Sequence, residues 1–134
     1  MTNPFWRIVM AIALGAVPGA ISRYLIVEMT TAMIAKDFSL YATFFINTSG
    51  CFIIGLFYTL SEKKFPRLSP EFTLTIATGF CGAYTTFSTY GLETFLQIDR
   101  GNDTVALLYW LGSMVVGTIA LQLGVIFGNF NSQG

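Results

Sequence analysis

The residues with the most chemistry to offer are gathered in GFCGAYTTFSTY, Gly79 to Tyr90. Thr85, Thr86, Ser88 and Thr89 bring hydroxyls; Phe80, Tyr84, Phe87 and Tyr90 bring rings. A phenyl ring is negative on its face and positive at its edge. Rings presented edge-on therefore stabilise a small dehydrated anion without holding it as a fixed charge would. Conduction needs that compromise between favourable entry and easy release. Phe87 and Tyr90, three apart, fall on one side of a helical turn, with the Ser88 and Thr89 hydroxyls beside them. Gly79 and Gly82 are poor helix formers, and Thr85 and Thr86 compete for backbone groups, so an interrupted helix is expected here. In lipid, freed carbonyls and amides must find new partners, which confines broken helices to protein interiors or polar cavities. Half-helix ends also bind ions: C-terminal carbonyls suit cations and N-terminal amides suit anions. The stretch reads as a broken helix whose loose backbone groups an ion satisfies.

Four further polar residues lie in apolar surroundings. Asn47, in FFINTSGCFIIG, offers two donors and one acceptor, for an interhelical hydrogen bond or for an anion. Arg23 is the one strong cation inside an apolar segment, placed about 27 Å along its helix, where snorkelling to the interface competes with an anion-facing or subunit-contact role. Tyr109 and Ser113, four apart, either continue a polar track or simply bond neighbouring helices. The chain has no His, and Cys51 and Cys81 sit in apolar runs as small packing residues, so neither zinc nor a disulfide is expected.

These groups must be positioned by membrane helices. Of 134 residues, 54% are hydrophobic and only 10% charged, against about a quarter charged in soluble domains, and so short a chain cannot hide that much apolar surface in one core. Net charge is zero, which gives no footprint for nucleic acid. Four apolar segments, about 5–33, 40–60, 72–96 and 104–130, each meet the roughly 20 residues a bilayer crossing needs. The first is too long for a signal-peptide core. Pro66 and Pro70 mark the second break as a loop, and Asp37–Phe38–Ser39 offers a cap for the second helix. Arg7, Lys63, Lys64 and Arg67 share one membrane side; Lys36 and Arg100, joined by Arg23 if it snorkels, share the other, a bias too small to fix one orientation. Gly15/Gly19 and Gly124/Gly128, at small-xxx-small spacing, suit close helix contact within one bundle or between subunits. Four helices leave little interior for a pathway, so transport implies an oligomer.

Along nearly its whole length the chain resembles the CrcB/Fluc family of fluoride channels. GAVPGAISRY (15–24) is similar to the family's first-helix motif, FFINTSGCFIIG to its second-helix pattern, and GFCGAYTTFSTY to its highly specific third-helix signature. The resemblance implies an all-α membrane protein, one domain over 1–134, with four transmembrane helices of which the third is broken. It implies an antiparallel, dual-topology homodimer in the inner (plasma) membrane, with two fluoride pores. A central structural sodium ion would be held by backbone carbonyls of both subunits, which by motif position belong to Gly82 and Thr85. The pore aromatics correspond to Phe87 and Tyr90 and the pore amide to Asn47. Glu93 matches a position often acidic in the family, with a vestibule or helix-end role. The sequence departs at Tyr90, where the family usually has Phe; the added hydroxyl would supply a further donor to the ion or make the pore wetter. The implied activity is passive export of cytoplasmic fluoride, driven by about 2.3 kcal/mol per charge at 100 mV. No enzyme chemistry is expected. A proton-coupled exporter of the small multidrug type is the alternative, but it needs a titratable carboxylate, and the first helix has none before Glu28. A helix-packing scaffold is a third.

Overall fold

The computed structural model describes residues 4–33 and 39–132, and all its regular structure is helical. Three helices are long and apolar enough to cross a membrane: α1 (Pro4–Met33), α2 (Ser39–Lys63) and α6 (Asp103–Asn131). Between α2 and α6 the chain is helical only in pieces: α3 (Pro70–Leu74), a π-helical run (Thr75–Cys81), α4 (Gly82–Tyr84) and α5 (Phe87–Asp99). The first three run on without a gap over 70–84 and α5 adds 13 residues, so neither stretch covers a hydrocarbon core of about 30 Å alone. Ser69 starts the series as an N-cap, accepting from the Phe72 N–H at 3.2 Å, with Pro70 behind it and Glu71 in the first turn. α2 begins at Ser39; Asp37 and Phe38 of the expected cap, and Lys36 of the charge tally, lie outside the described residues.

Glycine decides which helices touch. On α6, a Cβ at Gly124 would run into the Phe52 carbonyl of α2, and one at Gly128 into Thr59; in return a Cβ at Gly55 would overlap the Leu121 carbonyl. The backbones of α2 and α6 thus meet without side chains between them, the contact that drives helix association when lipid removes the hydrophobic term. On α1, Gly15 and Gly19 lie against the carbonyls of Thr75 and Phe80, while Gly79 answers against the Ile12 carbonyl. Both glycine pairs are therefore used inside one chain, and the reading of either as a subunit contact is not what the packing shows. Gly82 is different: it is exposed, and nothing lies within 4 Å of where its Cβ would be.

The ends are also tied. Arg7 of α1 pairs with Glu71 at 2.7 Å, Lys63 donates to Asn129 Oδ1 at 2.6 Å and Lys64 to the Asn131 carbonyl at 2.9 Å. The start of α1 and the ends of α2 and α6 therefore share one membrane side. The α5–α6 turn, with Gly101 at φ 76°, lies at the other.

Candidate ion site at the helix break

The interruption falls at Thr85 and Thr86, whose backbones are extended (φ −80°, ψ 161° and φ −150°, ψ 120°). The glycines expected to break the helix do not do so themselves: Gly79 lies in the π-helical run and Gly82 keeps helical angles. Side chains hold the break open instead. Asn47 of α2 grips Thr86 from both sides, accepting its N–H at 2.8 Å and donating to its carbonyl at 3.0 Å. Thr86 Oγ1 caps α5, accepting the Thr89 N–H at 3.2 Å and donating to Thr89 Oγ1 at 3.0 Å. Gly50, one turn past Asn47, leaves a notch that the Thr85 methyl fills; a Cβ there would collide with it.

The break deprives the carbonyls of Gly82, Ala83, Tyr84 and Thr85 of their helical donors, and at Gly82 and Thr85 those donors are taken by side chains. In an unbroken helix the Thr86 N–H would serve the Gly82 carbonyl, and the Thr89 N–H the Thr85 carbonyl. Asn47 takes the first and Thr86 Oγ1 the second. Gly82 and Thr85 are thus left with acceptors whose helical donors have gone to side chains. Both are neutral oxygens, the ligand type a hard monovalent cation takes. Around them Tyr84 is buried, stacked on Phe80 at 5.6 Å and bonded to Ser49 Oγ at 2.8 Å.

Beyond the break, three short stripes converge: Thr43 and Asn47 on α2, Phe87, Tyr90 and Glu93 on α5, and Tyr109 and Ser113 on α6. The Phe87 ring is 82% exposed on the single chain and lies 5.8 Å from that of Tyr90 at 48°. Tyr90 is buried and stands 5.3 Å from Tyr109 at 51°. The Tyr90 hydroxyl donates its proton to the Trp110 carbonyl at 2.6 Å, so it is not the further donor to an ion that its replacement of Phe suggested. Glu93, only 7% exposed, accepts from Thr43 at 3.0 Å and from Tyr109 at 2.7 Å. Tyr109 therefore makes the interhelical bond, whereas Ser113 Oγ is buried with no partner among the described residues. Ser88 and Thr89 are exposed on the first turn of α5. Arg23 is half-buried on α1, one turn past Gly19, the glycine that packs on Phe80. Sequence reasoning missed Thr43, and gave Glu93 only a peripheral place. The signal was there: Thr43 lies four residues before Asn47 and Glu93 three after Tyr90, which puts each on a face already under suspicion.

The family profile of "CrcB-like protein, Camphor Resistance (CrcB)" matches residues 10–125. The chain belongs to the CrcB family. Among curated relatives, the fluoride-specific ion channel FluC of Trichormus variabilis is 42% identical over 137 aligned positions, covering 100% of this chain and 97% of the relative. That of a Synechococcus species is 40% identical over 94% of this chain and 95% of the relative, and that of a Synechocystis species 44% identical over 86% and 87%. This CrcB chain is a multi-pass membrane protein of a channel family, not an enzyme.

Proposed function

We propose that the chain is a fluoride-selective passive channel, which lets cytoplasmic fluoride leave across the inner membrane. Relatives so named match it end to end, and one structural observation carries the mechanism: the break at Thr85–Thr86, pinned by Asn47. On this reading α3, the π-helical run, α4 and α5 together make the fourth crossing, and two copies assemble antiparallel with two pores. The exposed Gly82 and Phe87 favour such a partner, since a single chain leaves both uncovered.

Sodium fits the residues present. The Gly82 and Thr85 carbonyls have lost their helical donors, and the open space at Gly82 admits a second copy's carbonyls. Bound there, the ion would supply structural charge between the copies. Fluoride itself would run along Asn47, Phe87, Ser88, Thr89, Tyr90, Tyr109 and Ser113. The aromatic edges give it a weak positive lining. Ser113 Oγ, buried and unpartnered, is a donor in waiting. Asn47 spends one N–H and its oxygen on Thr86, which leaves its second N–H for an anion. Glu93 would repel an anion if bare; two hydroxyl donors, Thr43 and Tyr109, offset that charge. Arg23 stands on α1 as a vestibule charge or an interface anchor.

Fluoride efflux from proteoliposomes tests this, with chloride as control and the pH gradient collapsed. Rapid fluoride loss with chloride retained is expected. Efflux that required a proton gradient would favour a coupled exporter, and no efflux at all a scaffold.

A further inference from the structure

The loop between α2 and α3 forms a two-storey recess at the membrane edge. Its upper part, about 440 Å³, is lined by Lys64, Phe65, Pro66, Arg67 and Leu68. Its lower part, about 280 Å³, shares Phe65 and Leu68 and is completed by Phe57, Leu60, Ser61 and Phe72. A basic recess thus stands directly on an apolar one, with two side chains common to both. We infer that this is a binding site for a phospholipid of net negative charge, its headgroup against Lys64 and Arg67 and an acyl chain along Phe57, Leu60 and Phe72.

Position, charge and shape agree on that ligand. α2 ends at Lys63 and α3 starts at Pro70, so the loop sits where the hydrocarbon gives way to headgroups. Arg67 has no ion pair or hydrogen bond among the described residues, and Lys64 spends one of its three N–H donors on the Asn131 carbonyl. The neighbouring acids weaken the field without cancelling it. Glu71 is already paired with Arg7, and Glu62 lines an adjoining recess, with Tyr58 and Thr73, that shares Phe65 and Leu68 with both parts but contains neither Lys64 nor Arg67. At this end Arg7, Lys63, Lys64 and Arg67 stand against Glu62 and Glu71, while the α5–α6 turn sets Asp99 and Asp103 against Arg100. A free anion would need only the upper recess; the apolar floor, which begins at the same Phe65 and Leu68, calls for an amphiphile.

The test reads the lower recess directly. In full-length protein carrying W6F and W110F, Phe72→Trp makes one fluorescent reporter beside the proposed acyl chain. Its quenching by brominated phosphatidylglycerol is compared with that by brominated phosphatidylcholine in mixed vesicles. The expected preference for phosphatidylglycerol is roughly fivefold, the pull of one Lys or Arg near the surface, falling towards one in K64Q/R67Q. Arg67→Gln alone breaks no hydrogen bond and should lose part of the preference, which keeps the test open if the double variant fails to fold. Arg100→Gln, at the opposite end, should leave it intact. Equal quenching by the two lipids, or a preference that survives K64Q/R67Q, would overturn the assignment.

Discussion

At the scale of single residues, Asn47 does what a run of helical hydrogen bonds would otherwise do. Its one amide satisfies both backbone groups of Thr86, a residue 39 positions away. Asn47→Ala would strand a part-buried N–H and carbonyl at up to about 1–3 kcal/mol each, and more where lipid is the alternative solvent. Thermal unfolding in detergent should show a clear loss of stability, and fluoride efflux should fall at least about tenfold, the factor that 1.4 kcal/mol represents; a variant with unchanged melting and flux would refute the clamp. Phe87 is the opposite case, touching little in its own chain beyond Tyr90. Phe87→Ile should keep the fold and assembly while abolishing or greatly slowing fluoride flux, because it removes the ring edge and little else. Undiminished efflux would count against an aromatic pore. Glu93→Gln puts an amide N–H2 where one carboxyl oxygen now accepts, so one of its two hydroxyl partners must reverse its bond and accept instead of donate. Altered fluoride flux with a normal gel-filtration profile is the expected result, and wild-type rates would reduce Glu93 to packing.

At the scale of elements, glycine contacts fix the helices that frame the break. Gly15→Ala would press a methyl into the Thr75 carbonyl, and Gly50→Ala would displace the Thr85 methyl. Overpacking of this kind costs about 1–3 kcal/mol. Gly15→Ala should lower the unfolding temperature without changing selectivity, whereas Gly50→Ala should disturb the break itself; indifference of both to unfolding would show that the approach is looser than the structure has it. Gly82→Val meets nothing in its own chain, so its damage should appear as loss of the proposed dimer in gel filtration, and a variant still dimeric and sodium-loaded would contradict the proposed ion site. Much of this level could be read from the sequence. Long apolar runs encode membrane helices directly, and the hydroxyl and glycine cluster marked the interrupted one. The location of the break could not be read, because it is set by Asn47 and Gly50 on another helix rather than by local propensity. The same reason hid the Thr43–Glu93 bond, whose partners are 50 residues apart, while the π-helical run carries no compositional mark of its own.

At the scale of the whole molecule, a single chain leaves the break half-finished. Gly82 is open, Phe87 is bare, and the Gly82 and Thr85 carbonyls have given up their helical donors. A second copy and a cation would complete them, so replacing sodium by a large organic cation during purification should weaken the proposed dimer; a dimer equally stable without sodium would remove the ion from the account. Relatives named as fluoride channels, matched over essentially the full chain, supply the ion to be tested but not the way it passes. The most direct measurement is experimental density for the purified protein in sodium fluoride, read at residues 79 to 90. The account predicts extended backbone at Thr85 and Thr86, Asn47 on Thr86, and a cation against Gly82 and Thr85 carbonyls from two copies. A continuous, dry helix through that stretch in a lone protomer would contradict it.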